Sequence, residues 1–437
     1  MNGREFLTLN YGSHKIQLRI EPYSMSSIVI DASRVAYMNH TAALMVKAFL
    51  RGGDWRDAFR ELRSYYRNLR RAEVRRHFEE ITDKISKFIE GYADPVTDLG
   101  FKHQFPDISL LPAPFRVDLA LTYRCNNSCL HCYSKSPRET EELTTEQWKE
   151  VLRIIKGLGI PQVTFTGGEP TLRHDLVELV SETQRLGIVS GVVTNGTLLD
   201  EELSGKLAEA GMDYIQITLE SSVPSVHDSV TGVEGSWERT VEGIRNAVKT
   251  GVYVSVNSTL MRANYETIKD TIKFVADLGV HGYSLNRLIY SGKARLIEGL
   301  EPPIDEIAKL VSEAKELCIE YDLDFNWYGV TRYCEMDPMG LGLGPKFCSA
   351  CSINIAIEPD GSVIPCQSHY FKLGNILKDK WEDIWYSEEC VKIRDAKYVG
   401  GACVNCPLMS LCRGGCPLES EIKPYPERAP EVGGYAL

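Results

Sequence analysis

The stretch Phe115-Arg-Val-Asp-Leu-Ala-Leu-Thr-Tyr-Arg-Cys125-Asn-Asn-Ser-Cys129-Leu-His-Cys132-Tyr133 runs an apolar, strand-like segment straight into three closely spaced cysteines. Thiolates at short, fixed spacings are the usual ligands of iron–sulfur clusters. A [4Fe–4S] cube has four irons, so three local thiolates leave one iron open to another ligand. Zinc is the competing reading, but it takes four tetrahedral ligands, commonly as two cysteine pairs, and this triplet has no nearby fourth.

Downstream of the triplet, strand and helix patterns alternate, which predicts a parallel sheet with crossover helices. Strands are expected over 115–123, 162–166, 190–194, 213–219, 253–260 and 282–287, and helices over 145–158, 175–186, 201–210, 237–249, 265–278 and 304–321. Six β/α units are fewer than the eight of a closed barrel, so the expected fold is α/β, a partial, open (β/α)6 TIM barrel. Ligands of such sheets gather at the carboxyl ends of the strands, where the cysteine triplet falls.

Residues 1–92 read as a separate α+β unit of four short strands (5–10, 15–20, 27–31, 35–39) followed by helices over 41–50, 55–66 and 72–92. The arginines across 60–76 are read as a solvated helix face. Pro95, Pro106, Pro112 and Pro114 interrupt any periodicity and mark a linker over 93–114, ahead of a barrel over 115–330. From 331 to 437 cysteine, glycine and proline rise, which predicts a loop-rich domain held by metal centres. The tail after Pro417 is expected to be extended or mobile.

The formal net charge of −11 argues against a nucleic-acid-binding face. No apolar run reaches the roughly 20 residues that cross a bilayer, and the first residues carry no signal-peptide pattern, so a cytoplasmic location is expected. The thirteen cysteines are clustered, none before Cys125 and six from Cys366 to Cys416. That distribution points to metal or cluster ligation rather than disulfides.

Cys125-x3-Cys129-x2-Cys132 resembles the signature of the radical S-adenosylmethionine (SAM) enzymes, although the residue before the third cysteine, usually aromatic there, is His131. The resemblance implies a [4Fe–4S] cluster on the three thiolates, with SAM chelated at the fourth iron. Gly167-Gly168-Glu169-Pro170 follows the second strand as the family's second motif does. Paired glycines allow close backbone approach, and Glu169 with nearby carbonyls could accept from an ammonium group. Thr194-Asn195-Gly196 ends strand three as in the family. Thr218-Leu219-Glu220 ends strand four where the family has Ser-x-Asp, and Asn257 on strand five is a further SAM contact by the same resemblance. A buried asparagine satisfied by backbone is the alternative for Asn257. The match covers roughly residues 115 to 320.

Cys403-x2-Cys406-x5-Cys412-x3-Cys416, with Cys348 and Gly361-x4-Cys366 upstream, resembles the SPASM auxiliary-cluster domain. The resemblance implies one auxiliary cluster on Cys348, Cys366 and Cys416, with Cys351 as candidate fourth ligand, and a second on Cys403, Cys406 and Cys412. The family supplies another cysteine after the last pair, and here none follows Cys416. Cys334 and Cys390 are candidates for that vacancy, whereas Cys318 reads as a small buried hydrophobe. A zinc ribbon is the alternative for 403–416. The N-terminal unit, with Ile28-Val-Ile-Asp31 and Ala36-Tyr-Met-Asn39, is similar to the winged-helix-like RiPP recognition element, or else is a structural cap. In that family a leader peptide adds to the sheet as an extra strand.

These resemblances imply a maturase that cleaves SAM to a 5′-deoxyadenosyl radical and abstracts hydrogen from a peptide or protein. The external electron donor would be a ferredoxin or flavodoxin. The outcome would be a thioether, a crosslink, an oxidation or an epimerisation. A small-molecule substrate such as a tetrapyrrole, and a non-catalytic iron–sulfur electron carrier, are the competing readings. The sequence assigns no general acid or base. Cys334, Tyr290, Arg287 and Glu220 lie near expected strand ends, each with a structural alternative.

Overall fold

The computed structural model describes residues 5–12, 14–21, 25–30, 34–91, 111–134, 141–297 and 299–427. The chain forms two compact units. The first is Met1–Phe115 with Arg153–Gln162 and Arg185–Val189, and the second is Arg116–Leu152, Val163–Gln184 and Ser190–Leu437.

In the first unit, β1 (Glu5–Tyr11), β2 (His14–Ile20), β3 (Ser26–Ile30) and β4 (Arg34–Met38) form an antiparallel sheet in that order. Three helices follow: α1 (His40–Leu50), α2 (Trp55–Tyr65) and α3 (Arg71–Ile89). Register explains the face that is buried. Leu18 pairs with Leu7 and Ile28, and Ile28 with Ala36, so alternate positions align in apolar rows. Those rows share one core with Ala43, Leu44, Leu62, Phe78, Ile85 and Phe88 of the helices. Asn39 caps α1 by accepting from the Ala42 amide, and Asp54 with Asp57 forms a capping box on α2. The expected ends at 31 and 92, and Pro95 and Pro106 of the linker, lie outside the described residues.

The second unit is built on β5 (Arg116–Thr122), α4 (Thr145–Gly157), β6 (Gln162–Gly167), α5 (Leu176–Leu186), β7 (Val189–Thr194), α6 (Glu201–Glu209) and β8 (Tyr214–Thr218). It continues through α7 (Pro224–Thr231), α8 (Ser236–Lys249), β9 (Tyr253–Thr259), α9 (Ile268–Asp277), β10 (Gly282–Asn286), α10 (Ile304–Glu320) and β11 (Asp324–Trp327). Strands β5 to β11 lie side by side in chain order, the arrangement of a partial TIM barrel. Two elements were not expected. β11, Asp-Phe-Asn-Trp, adds a seventh strand parallel to β10 and is too short to show a period. α7 is a short helix opened by Pro224 and closed by Gly232 in the left-handed conformation.

β12 (Asn354–Ile357) extends the same sheet, parallel to β5, followed by antiparallel β13 (Ser362–Ile364) and β14 (Gly374–Asn375). The expected division near residue 330 is therefore no division of the sheet. Short helices α11 (Trp381–Trp385), α12 (Glu388–Arg394), α13 (Met409–Cys412) and α14 (Pro417–Ser420) complete the C-terminal part. The tail expected to be extended after Pro417 begins instead with α14, whose Leu418 and Glu419 are buried. Residues 428–437 lie outside the described ones.

Alternation along the strands sorts the sheet into two faces. Leu119, Leu121, Val163, Phe165, Ile215, Ile217, Val254, Val256, Tyr283 and Leu285 are buried apolar positions. Tyr283 lies near Cys318 of α10, which marks this as the helix-covered face, and Cys318 is itself fully buried as expected. The alternate positions are polar. Thr218, Asn257, Ser284 and Asn326 form one row across four strands. A buried polar face is costly unless it meets ligands or partners, and it places the site.

Candidate active site

The loop that leaves β5 carries Cys125, Cys129 and Cys132, and backbone bonds hold it in place. The Ser128 and Leu130 amides donate to the Thr231 and Val230 carbonyls at 2.8 and 2.9 Å. Lys293 donates from its amide to the Cys132 carbonyl (3.0 Å) and from Nζ to the Ser128 carbonyl (3.2 Å). Gly292, at φ +54°, is required there, since a Cβ would stand 2.5 Å from the carbonyl oxygens of Cys132 and Tyr133. All three cysteines are free thiols. Burial, then the charges of Glu220, Cys132 and Cys125, push the Cys129 thiol far above its ordinary value. The Asn127 amide donates to Cys125 Sγ at 3.4 Å. Three free thiols on one loop, Cys129 within electrostatic range of the other two and Cys125 met by an amide donor, have the donor chemistry of an iron–sulfur cluster.

Gly167 and Gly168 press on that loop. A Cβ on Gly167 would lie 2.3 Å from the Thr122 carbonyl oxygen, and one on Gly168 2.2 Å from that of Arg124. Their close approach is thus to the cysteine loop's backbone, sealed by the Gly168 and Glu169 amides donating to Thr122 and Arg124 (2.7 and 2.9 Å). Glu169 has a different task from the ammonium acceptor expected of it. Fully buried, its carboxylate accepts from the Thr171 amide and hydroxyl, from Thr194 Oγ1 (2.6 Å) and from the Asn195 amide (2.8 Å). Burial still raises its pKa against those four donors. Pro170 opens the single turn that follows. Asn195 Nδ2 reaches Asn126 of the cysteine loop at 2.8 Å, so strand ends two and three both brace the loop.

On the far side, Thr218 stands beside Asn257, which stands beside Ser284. Asn257 Oδ1 and Ser284 Oγ are buried and meet no hydrogen-bond partner among the described residues. Each unsatisfied group costs about 1–3 kcal/mol, which a polar ligand would return. The backbone-satisfied alternative for Asn257 is not what its oxygen does. Sequence reasoning missed Ser284, which carries no motif and is found only through strand register.

His131 and Glu220, the two departures from the family pattern, meet: His131 Nε2 is 3.3 Å from Glu220 Oε1. Glu220 also accepts from the Thr259 amide (2.9 Å), and its own amide donates to His227 Nδ1 (3.1 Å). Burial lifts the Glu220 carboxyl to about 8 and lowers the His131 imidazole to about 4. Both shifts favour the neutral forms at pH 7, and Glu220 Oε1 and His131 Nδ1 are buried with no hydrogen-bond partner among the described residues. Arg287 and Tyr290 are engaged in structure instead. Arg287 clamps Glu419 (2.7 and 3.0 Å) and Glu301 (2.7 Å), and Tyr290 donates to Glu301.

The C-terminal cysteines fall into two groups. Cys348, Cys366 and Cys416 lie within electrostatic range of one another. Their sulfurs accept from backbone amides: Ala350 to Cys348, Ser368 and His369 to Cys366, Leu418 and Glu419 to Cys416. Cys351, buried at φ +55°, is close to Cys366 and hydrogen-bonds Cys390, whose sulfur also takes Arg394 Nη2 at 3.4 Å. The second group, Cys403, Cys406 and Cys412, lines one cavity together with Cys334, Arg332, Tyr333 and Leu408. Among the described residues no helix is long and apolar enough to cross a membrane.

Comparison with known proteins agrees with this layout. The radical SAM superfamily model matches residues 119–275, and the iron–sulfur cluster-binding SPASM model residues 348–417. The PqqA peptide cyclase of Bradyrhizobium diazoefficiens is 30% identical over 319 residues, 69% of this chain and 81% of that protein. The AdoMet-dependent heme synthase of Methanosarcina barkeri is 27% identical over 336 residues, 70% of this chain and 92% of that one. SuiB of Streptococcus suis, solved with its precursor peptide SuiA, shares the fold at a TM-score of 0.69 and 16% identity, over 95% of this chain and 97% of that one.

The chain belongs to the radical SAM superfamily. It is an enzyme of the SPASM-bearing branch, working with SAM and iron–sulfur clusters, which removes the non-catalytic electron carrier as a reading.

Proposed function

We propose that this enzyme is a maturase acting on a peptide or protein. The observation that carries this is the reach of the fold likeness. The curated relatives cover about 70% of the chain. The likeness to SuiB covers 95%, a span that takes in the N-terminal sheet and helices, and SuiB is solved with a precursor peptide. The proposed leader site is the β4 edge of the sheet, which no strand pairs among the described residues, beside α3, where Arg34 Nη1 bonds the Phe88 carbonyl at 2.8 Å. A leader strand would add there by main-chain hydrogen bonds.

In this reading Cys125, Cys129 and Cys132 hold the SAM cluster. Cys348, Cys351, Cys366 and Cys416 hold a first auxiliary cluster, and Cys403, Cys406 and Cys412 a second. The cluster that Cys125, Cys129 and Cys132 would hold would, once reduced, supply the electron for cleavage of SAM to methionine and a hydrogen-abstracting 5′-deoxyadenosyl radical. The protein's own work is positional. Gly167 and Gly168 fix the cysteine loop, and Glu169 with Thr194 and Asn195 ties two strand ends behind it. Asn257, Ser284 and Thr218 offer unspent polar atoms to SAM, while His131 and Glu220 stand as a neutral pair under the loop. Electrons come from a ferredoxin or flavodoxin. A reducing, cytoplasmic compartment suits thirteen free thiols.

The similarity to a heme synthase over 92% of its length favours a tetrapyrrole as the second reading. Reconstituted enzyme with SAM and dithionite decides. Wild type should form 5′-deoxyadenosine and Cys129→Ala only background. A precursor peptide encoded beside the gene should change in mass, whereas conversion of an iron-free or iron-bearing tetrapyrrole instead would overturn the peptide assignment.

A further inference from the structure

Resting on the reading of Cys403, Cys406 and Cys412 as ligands of the second auxiliary cluster, we propose that Cys334 is that cluster's fourth ligand. Residues 417–437 contain no cysteine, and a fourth thiol is found instead in the cavity that the other three line. Cys334 lies upstream of the matched 348–417 segment, yet it lines the same cavity as the other three cysteines. It is within electrostatic range of both Cys403 and Cys412.

The turn that carries Cys334 is built onto this cavity. The Tyr333 amide donates to Cys412 Sγ at 3.4 Å, so the residue before Cys334 already touches a ligand sulfur. Within the turn, the Glu335 and Met336 amides donate to the Arg332 carbonyl (2.9 and 3.0 Å) and Thr331 Oγ1 donates to the Met336 carbonyl. Arg332 fastens the turn by donating to the Lys423 and Pro424 carbonyls (2.7 and 2.9 Å) and by stacking on Tyr425 at 4.6 Å. Apolar Leu408 and Met409 complete the wall. Cys390, the other candidate, does not line this cavity and lies instead against Cys351 and Arg394.

Each thiol gives up its proton as it binds iron. Four cysteines cover all four irons of a cube, leaving none for substrate. The second auxiliary cluster is thereby an electron carrier, and an exposed Cys334 brings it to the surface, where a partner can reach it.

The test uses the full chain with Cys125, Cys129 and Cys132 changed to Ala, so that only auxiliary clusters are read. After anaerobic reconstitution, Cys334→Ala should lose between one and about four irons per chain and acquire a [3Fe–4S]-type EPR signal or lose one cluster's spectrum. Cys318→Ala, on a buried α10 thiol outside both cysteine groups, should keep the iron count and spectrum of the background. Alkylation followed by mass spectrometry checks the point without any Cys334 variant. Cys334 should be blocked in the reconstituted protein and reactive after chelation. Equal reactivity in both states, or unchanged iron and EPR in Cys334→Ala, overturns the assignment. If Cys406→Ala likewise changes nothing, the second cluster itself is absent and the underlying reading falls. If Cys406→Ala removes the cluster and Cys334→Ala does not, only Cys334 is excluded.

Discussion

His131 and Glu220 illustrate how two departures from a family pattern become one feature in three dimensions. An imidazole replaces the usual aromatic ring, a longer acid replaces Asp, and the two side chains meet at 3.3 Å. Their effects should therefore couple. His131→Phe and Glu220→Asp should each weaken SAM binding to the reconstituted enzyme, and the double variant should recover part of the loss. A double-mutant cycle on SAM affinity should return an interaction of about 0.5–3 kcal/mol, and simple additivity would count against the contact. The same pair predicts a pH dependence. The Glu220 carboxyl, near 4.3 when unfolded, is raised to about 8 in the fold. Its stabilising share is present in full below the unfolded value and lost as pH rises to about 8, by at most about 1.4 kcal/mol per unit. Between pH 5 and 8, wild type should lose thermal stability relative to Glu220→Gln, with no further divergence above that range. The sequence displayed both residues but not their contact, because 89 positions separate them.

Strand ends and the short turns behind them do most of the positioning. Gly167→Ala and Gly168→Ala drive a methyl group to within 2.3 Å of fixed backbone oxygens. Either should strip the Cys125–Cys132 site of its iron, about four per chain by colorimetric assay, while auxiliary spectra persist. Beyond this turn, Arg173 holds Asp175 bidentately at 2.8 and 2.6 Å and also bonds the Leu143 carbonyl, both side chains being buried. Arg173→Ala leaves a buried carboxylate unpaired and should cost about 3–5 kcal/mol in denaturant unfolding. The Gly-Gly-Glu-Pro motif was legible as a strand-end signal, but its physical use was not. Whether glycines approach a ligand or a neighbouring loop depends on the backbone of Thr122 and Arg124, distant in sequence. β11 and α7 escaped notice because four residues, or one proline-led turn, are too few for periodicity to declare.

Over its described length the chain has a four-stranded antiparallel sheet and a barrel sheet that runs on through β12 into the cysteine-rich end. Alternating patterns made the barrel readable, because parallel strands and crossover helices leave long, repeated signals. The sheet's continuation was hidden, since β12 to β14 are two to four residues long. The sequence offered Cys334 and Cys390 alike, and only the fold, which puts Cys334 in one cavity with Cys403, Cys406 and Cys412, separates them. For substrate handling, a precursor peptide carrying its leader should be processed well and its core segment alone poorly, with the leader restoring activity when added in trans. Equal turnover of core and full precursor, read by mass spectrometry, would detach the N-terminal sheet from recognition.

In the proposed reaction, chemistry begins at the Cys125–Cys132 loop and removes a hydrogen from a peptide. Uniformly deuterated precursor peptide, incubated anaerobically with reconstituted enzyme, SAM and reductant, tests it most directly. Deuterium should appear in 5′-deoxyadenosine in step with modified peptide, and both should vanish in Cys125→Ala. Modified peptide accompanied by unlabelled 5′-deoxyadenosine, or formed equally well by Cys125→Ala, would contradict it.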